Sequence, residues 1–394
     1  MSLNSESTHT LKKLLESMVK LGGSDLFITV NKPPSYRSKN NDILPLSRGI
    51  IQPIHAEKIC TECMPSKIRI EFAETQEANF SLEFEDVGRF RINVLKQKGN
   101  YAMVARHIKS KIPTIDELGL PTVLKDIIME KRGLVIMVGA TGSGKSTTLA
   151  AMINHRNENV KGHIITIEDP IEFIHEHKAG IVTQREVGTD SNDFKSALKN
   201  TLRQNPDVVL IGEIRDRDTM EFALELAQTG HLCLATLHAN NASMAIERIL
   251  HLFRSEERES IRSNIGLNLR AIISQRLIRT LDNKRTPAIE ILVNTPRISD
   301  LIMSGNMSEV REAMEKGKQY GMITFDQSLF DLWKRGIISK EEALGNADSS
   351  NAVRILIQKQ EIIKVENRDD NKKGKNIDQL FSSDFELEKT HSGE

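Results

Sequence analysis

The chain has 394 residues, and its 54 Lys and Arg balance 54 Asp and Glu, so the formal net charge is zero. This length predicts two or three domains. The balanced charge gives no support for a global attraction to nucleic acid or to a membrane surface. The apolar runs are strand-sized, far short of the roughly 20 residues of a spanning helix, and the polar start lacks a signal-peptide core. We therefore expect a cytoplasmic protein that binds no nucleic acid and does not insert into the membrane.

Residues 1–107 predict a small α+β domain. Apolar residues recur at helical spacing over 9–21 and stop at Gly22-Gly23. Four strand-like segments and one helical segment follow, at 26–30, 78–84, 89–95, 102–107 and, for the helix, 55–73. Cys60 and Cys63 have redox or zinc spacing, but no second pair accompanies them. We expect two helical cysteines one turn apart, without a metal. Prolines mark 108–121 as a linker.

From residue 122 the pattern changes to alternating strands and helices. Four β-rich apolar runs, at 134–138, 163–167, 208–211 and 232–237, alternate with helical segments. This alternation predicts parallel βαβ units. In such sheets, ligands bind beyond the carboxyl ends of the strands. All four runs end on residues that suit chemistry, so we expect an active site along that edge.

Beyond residue 243 the chain is predicted to be mostly helical. The helical segments are 245–253, 256–277, 326–334, 340–346 and 352–360. Residues 364–394 are charged and cannot build a core, which predicts a disordered tail.

A complete GxxxxGK[ST] phosphate loop follows the first of these runs. The residues predicted to bind ATP are Gly139, Ala140, Thr141, Gly142, Ser143, Gly144, Lys145, Ser146 and Thr147. Glycines let the backbone wrap a phosphate, and a following helix points free N–H groups at it. Lys145 suits the terminal phosphates and the Ser146 hydroxyl suits Mg²⁺. A chance glycine-rich turn is the less favoured interpretation, because a strand and a helix flank the motif.

Acidic residues follow the second and third runs. Asp207 begins the strand that delivers Glu213, a Walker B arrangement, and a surface glutamate is the alternative. Glu168, Asp169 and Glu172 lie within five positions around Pro170. Glu172 is the predicted general base on water, whereas a helix N-terminus favoured by acids is the alternative. The predicted Mg²⁺ ligands, partly through water, are Ser146, Glu168, Asp169 and Glu213.

Histidines and arginines complete the candidate set. His231 and His238 flank the last run and are predicted to sense the nucleotide, although a lone strand-end histidine is more often structural. Arg89, Arg91 and Arg106 lie in the first domain. They form either a solvated strand face or arginine fingers for another subunit, and the residues alone do not decide between these.

Together these motifs resemble the type IV pilus retraction ATPases, the PilT/PilU family. Four boxes carry the resemblance, at 139–146, 165–173, 207–213 and 229–238, and the segments 88–93 and 184–188 also match. The likeness covers residues 9 to about 360. It implies an α/β chain with an N-terminal PAS-like α+β domain and a C-terminal RecA-like P-loop NTPase domain with extra C-terminal helices over 122–363.

The resemblance also implies roles and partners. The family assembles as a homohexamer in which N-terminal arginines reach the nucleotide, and these match Arg91 and Arg106. Glu172 matches the catalytic glutamate, Glu213 the Walker B acid, and His231 and His238 the His box, with Lys145 in the phosphate loop. The implied function is pilin removal at the pilus base, at the cytoplasmic face of the inner membrane, through a platform protein in that membrane.

Departures from the pattern favour the PilU branch of the family. Retraction motors of the PilT type carry Ala-Ile-Arg-Asn-Leu-Ile-Arg-Glu after a Thr-Pro pair, whereas Thr295-Pro296 is followed here by the run 297–304, with no arginine after its first residue. Phe27 also stands where PilT usually has His. The resemblance thus implies an accessory motor that works with a PilT-type ATPase. Alternatives are an assembly or type II secretion ATPase, a non-hydrolysing nucleotide-gated adaptor and a nucleic-acid translocase.

Overall fold

The structure, a computed structural model, describes residues 6–108 and 111–362, so the predicted tail 364–394 lies outside the described residues. The chain forms two compact units. Unit 1 contains the described residues of Met1–Glu117, Leu124–Leu134 and Ser146–Thr236; unit 2 contains those of Leu118–Val123, Val135–Lys145 and Leu237–Glu394. These ranges divide the chain differently from the predicted domains, whose boundaries remain a prediction.

An antiparallel sheet forms the N-terminal part of unit 1. Its strands are β1 (Asp25–Ile28), β2 (Ser35–Arg37), β3 (Ile43–Pro45), β4 (Glu77–Phe84), β5 (Gly88–Gln97) and β6 (Asn100–Ile108). They lie in the order β3-β2-β1-β6-β5-β4, and every pairing is antiparallel. Strand β5 alternates between buried and half-buried positions, so that Phe90, Ile92 and Val94 enter the core while Arg89 and Arg91 point to the other face.

Three helices pack with this sheet: α1 (Glu6–Lys20), α2 (Pro53–Cys63) and α3 (Ser66–Thr75). The single helix predicted over 55–73 is two helices, because Pro65 disfavours helical backbone at Met64, which is extended at ψ 132°. Cys60 and Cys63 lie on α2 as predicted, and both are buried. The Cys63 Sγ donates to the Cys60 carbonyl at 3.2 Å. Burial raises the pKa of Cys63 to about 12 and also raises that of Cys60.

Unit 1 also contains parallel strands. These are β8 (His163–Glu168), β9 (Ile181–Glu186), β10 (Val208–Ile211) and β11 (Leu232–Leu237), with helices α4 (Val123–Met129), α5 (Lys145–Asn159), α6 (Phe194–Thr201) and α7 (Arg217–Gln228). The order is β11-β10-β8-β9, and the pairings are parallel. The predicted strands over 163–167, 208–211 and 232–237 are confirmed. Strand β9 was not predicted, because its residues Thr183 to Arg185 are polar. Cys233 is buried in β11, which raises its pKa.

Unit 2 combines strands with most of the C-terminal helices. Its strands are β7 (Gly133–Val138), β12 (Leu269–Arg279) and β13 (Arg285–Val293), and its helices are α8 (Ala242–His251), α9 (Arg258–Asn268), α10 (Pro296–Ser304), α11 (Met307–Lys316), α12 (Phe325–Lys334) and α13 (Lys340–Gly345), followed by helical residues 350–362. Strand β12 lies beside β7 and pairs antiparallel with β13. As predicted, the chain belongs to the α/β class.

The helix predicted over 256–277 was wrong in its second half. Helix α9 ends at Asn268, and β12 begins at Leu269. The apolar residues Ile261, Ile265 and Leu269 keep a helical period, and Ile272 and Ile273 fit either period, so the pattern alone could not separate them. Pairing of β12 with β13 over nine residue pairs decides for the strand. Within residues 6–108 and 111–362, no helix combines the length and apolar character needed to cross a membrane.

Candidate active site

The phosphate loop in unit 2 has the geometry that its sequence predicts. Strand β7 is buried along its whole length and leads directly into the loop. Gly139 and Gly144 have φ angles of 148° and 91°, which favour glycine. The Lys145 ammonium donates to the carbonyl oxygens of Gly139 at 2.7 Å and Ala140 at 3.0 Å, so its charge lies within the loop.

Gln275, on β12, supports the phosphate loop through its side-chain amide. Its side-chain amide donates to the Ser143 carbonyl at 2.9 Å. A Cβ on Gly139 would lie 2.5 Å from the Gln275 carbonyl oxygen, and one on Gly144 would lie 2.7 Å from the Gln275 Nε2. The close approach of the β12 backbone therefore requires glycine at position 139, whereas a side chain at position 144 would displace the Gln275 amide. Sequence reasoning missed Gln275 because it assigned this segment to a helix.

A cavity of about 790 Å³ opens beside the loop in unit 2. Besides loop residues 139–143, its lining includes Arg276, Arg279, Lys284 and Arg285. Arg276 pairs with Asp348 at 2.7 Å and lies over the Phe325 ring. This volume is in the range of pockets that hold small ligands, and the four cations suit a polyphosphate or nucleotide.

The phosphate loop and the cavity beside it suit a nucleoside triphosphate. The Ser143 Oγ is buried and has no hydrogen-bond partner among the described residues, although such a hydroxyl is expected to bond. A phosphate oxygen held by the loop would supply an acceptor. The helix α5 begins at Lys145, so the backbone N–H groups of Ser146 and Thr147 lie at its N-terminus, where anions bind.

Unit 1 brings together three of the predicted site residues. Ser146, Glu168 and Glu172 line one small cavity of about 40 Å³, together with His175 and Thr236. Burial raises the pKa of Glu168, and hydrogen bonds from Thr166 at 2.7 Å and Gln184 at 3.3 Å partly oppose that rise. A hydroxyl and two carboxylates around one cavity are a hard oxygen donor set, which suits Mg²⁺.

His175 is a lining residue that the sequence did not single out. Burial, followed by the nearby Lys178, lowers the pKa of His175 to about 4, so its imidazole is neutral at pH 7. Its backbone N–H donates at 2.7 Å to the Gln184 side chain, which also bonds Glu168. Gln184 lies in the segment 184–188 that matches the family, which is the signal that could have directed attention to this network.

Asp169 and Glu213, the other predicted metal ligands, are joined by Arg215. Arg215 lies 2.7 Å from the Glu213 carboxylate and 3.5 Å from that of Asp169. Neither acid is part of the small cavity's lining. The Thr236 hydroxyl donates to the Gly212 carbonyl, next to Glu213. Arg215 therefore bridges the two acids, a contact that sequence reasoning missed although the residue lies two positions after Glu213.

The two histidines lie at opposite ends of β11. His231 precedes the strand and bonds the Thr229 hydroxyl at 3.1 Å, whereas His238 follows it. A six-residue strand separates them by about 20 Å. One phosphate cannot contact both, so any sensing roles would be distinct.

The predicted arginine fingers are cross-strand neighbours in the N-terminal sheet. Arg91 on β5 is directly opposite Arg106 on β6, so both side chains lie on the same face. The Arg106 Nε donates to Asp25 at 2.7 Å. The Arg106 side chain is 66% exposed while that of Asp25 is 4% exposed. Arg106 is thus oriented by a buried carboxylate and still open to solvent.

Comparison with known proteins places the chain in a family. It matches the Type II/IV secretion system protein family over residues 5–320. It is 50% identical over 348 residues to the type IV pilus ATPase PilU of Pseudomonas aeruginosa, covering 88% of this chain and 91% of that protein. It is 40% identical to the PilT retraction ATPase of the same organism, covering 84% and 96%. The chain belongs to the PilT/PilU ATPases.

Solved structures agree with this family. The pilus retraction motor PilT with bound ADP has a TM-score of 0.80 at 37% identity, covering 86% of this chain and 96% of that one. The Legionella pneumophila ATPase DotB has a TM-score of 0.75 at 26% identity, covering 85% and 94%. The predicted family, the α/β fold class and the assignment as a secretion-superfamily ATPase are confirmed. The individual roles of the site residues stay predictions.

Proposed function

We propose that this protein is a motor ATPase that couples ATP hydrolysis to the retraction of type IV pili, as an accessory to a PilT-type ATPase. The observation that carries the proposal is 50% identity to PilU over 88% of the chain, joined to a complete phosphate loop and an acid-lined cavity. The protein would act in the cytoplasm, at the inner-membrane face of the pilus base, and transmit force through a platform protein in that membrane.

The phosphate loop would bind the nucleotide. The Lys145 ammonium and the N–H groups at the start of α5 would hold the β- and γ-phosphates. The cations around the larger cavity would bind the remaining charged part of the nucleotide. Ser146, with Glu168 and through water Asp169 and Glu213, would hold Mg²⁺, which supplies charge neutralisation at the phosphates.

Glu172 would act as the general base. It lines the small cavity with Ser146 and Glu168, which is consistent with a base placed near the γ-phosphate. Its carboxylate would orient water and accept a proton as the water attacks phosphorus. Arg215 would keep Glu213 and Asp169 in register during this step.

Charge from a second subunit would complete the site in a homohexamer. Arg91 and Arg106 lie on one solvent-accessible face, which suits arginine fingers acting in trans. Mixing Arg106→Ala subunits with Lys145→Ala subunits tests this. Partial recovery of turnover in mixed rings is expected, because some interfaces then combine an intact Lys145 from one subunit with an intact Arg106 from its neighbour. No recovery at any ratio would contradict trans action.

The accessory role is supported by helix α10. At the two positions where the PilT motif carries internal arginines, Ser299 donates to the Gly266 carbonyl at 2.7 Å and Met303 packs close to Gly266. This stretch therefore packs against α9 through neutral side chains. A retraction step that depends on those arginines would have to come from a partner ATPase.

Two measurements test the proposal. Lys145→Ala should abolish ATP turnover, whereas Lys178→Ala, which removes a surface ion pair with Glu158, should not. Pilus retraction should fall when the gene is deleted beside an intact PilT-type ATPase, and the protein should not restore it without that partner. Retraction driven by this protein alone would refute the accessory role, and absence of phosphate release by the wild type would favour an adaptor.

A further inference from the structure

Glu186 is a buried carboxylate with partners from three parts of unit 1. It is the last residue of β9 and is 4% exposed. Its Oε1 accepts from the hydroxyls of Ser81 at 2.8 Å and Thr189 at 3.2 Å. Its Oε2 accepts from the Arg89 guanidinium at 3.2 Å and from the Ile171 backbone N–H at 3.3 Å. A carboxylate this deeply buried requires such partners, because an unpaired charge there is strongly destabilising.

Two of these partners belong to the N-terminal sheet. Ser81 on β4 is directly opposite Arg91 on β5, which is opposite Arg106 on β6. Arg89 precedes Arg91 by two residues and therefore shares its face. Glu186 thus bonds the same sheet face that carries both predicted arginine fingers.

The other end of the contact reaches the acidic loop. Ile171, whose N–H bonds Glu186, is 2% exposed and directly precedes Glu172. The next residue after Glu186, Val187, donates its N–H to the Glu168 carbonyl at 2.9 Å. The end of β9 therefore holds the backbone at both sides of the segment from Glu168 to Glu172.

We propose that Glu186 is a positioning residue that couples the N-terminal sheet to the general base. Ser81 and Arg89 fix its carboxylate, and the carboxylate fixes Ile171 and hence the direction of Glu172. A shift of the sheet face that carries Arg91 and Arg106 changes the position of the base in the same subunit. This inference rests on the proposed role of Glu172.

The test compares kcat with nucleotide affinity in the full-length protein. Glu186→Gln keeps the shape but removes the charge, and Arg89→Ala removes the main cationic partner. Each should lower kcat at least about tenfold, since a small misplacement of a catalytic group is costly, while the Kd for ADP stays within about twofold. The double variant should lose little more than either single variant, because both changes break one contact.

Controls separate positioning from a merely structural role. Asn93→Ala removes a 3.0 Å bond to Asn79 in the same sheet and should leave kcat unchanged. Arg89→Lys should restore part of the lost turnover. If Glu186→Gln lowers ADP affinity and melting temperature as well as kcat, the inference is overturned. Additive effects on kcat in the double variant would also overturn it.

Glu172→Gln distinguishes the two levels of failure. If it is inactive while Glu186→Gln turns over normally, the positioning role alone is refuted. If Glu172→Gln itself keeps wild-type turnover, the base assignment fails and the positioning role fails with it.

Discussion

Substituting Gly144 by Ala tests how β12 supports the phosphate loop. The new Cβ would lie 2.7 Å from the Gln275 Nε2, so the amide must move away and lose its bond to the Ser143 carbonyl. A positive φ of 91° costs a residue with a side chain about 1–2 kcal/mol, and the lost hydrogen bond about 1 kcal/mol. If the loop must keep its shape to bind phosphate, ADP affinity should fall by roughly 30-fold to 150-fold.

The ADP affinities are measured by calorimetric titration, and two other glycines supply matched controls. Gly142 has φ 77°, but no atom lies within 4 Å of its would-be Cβ. Gly142→Ala should therefore show the backbone strain without the contact, a loss of about fivefold to 30-fold. Gly345 has open space and no positive φ, so Gly345→Ala should bind ADP like the wild type.

A Gly144→Ala variant that binds ADP as tightly as Gly142→Ala would show that Gln275 gives the loop no support. Adding Gln275→Ala to Gly144→Ala removes the group that the Cβ would meet, so the pair should show a coupling energy rather than additive losses.

Three further predictions follow from the charged groups of unit 1. Arg215→Ala should lower ATP turnover with little change in ADP affinity, because it releases Glu213 and Asp169, whereas Arg217→Ala, whose partner is Glu221 on the same helix, should not; equal turnover in the two variants would contradict this. Glu168→Gln should raise the melting temperature at pH 8, because burial raises the pKa of Glu168 and the charged form destabilises the fold as pH rises above 4.5; a lower melting temperature would refute it. The pKa of His175 is lowered from 6.5 to about 4, so the unfolded chain binds a proton first as the pH falls. About 3 kcal/mol of stability is therefore lost between pH 6.5 and pH 4. His175→Gln should flatten that decline in thermal melts, and parallel curves of melting temperature against pH for the variant and the wild type would count against it.

The sequence predicted the parts of the site that depend on local pattern. The phosphate loop, the acids after β8 and β10 and the family itself could all be read from short motifs beside apolar runs. Parallel strands present their carboxyl ends at one edge of the sheet, so residues that directly follow each strand can be predicted to share a site.

The remaining features depend on pairing between distant segments. Gln275 supports the loop only because residues 269–279 form a strand, which the helical spacing of Ile261 and Ile265 obscured. The proposed role of Glu186 depends on its contacts with Ser81 and Arg89, which lie about a hundred residues earlier in the chain. The spacing of residues in a single sequence does not predict such a long-range contact.

The buried state of the three cysteines has a practical consequence for studying motion in this protein. Thiolates are the reactive form of cysteine, and Cys60, Cys63 and Cys233 are all buried with raised pKa values. A cysteine introduced at an exposed position would therefore react with a fluorophore far faster than the native thiols. Dyes placed this way on the N-terminal sheet and beside the acidic loop could report their separation during turnover without first removing any natural residue.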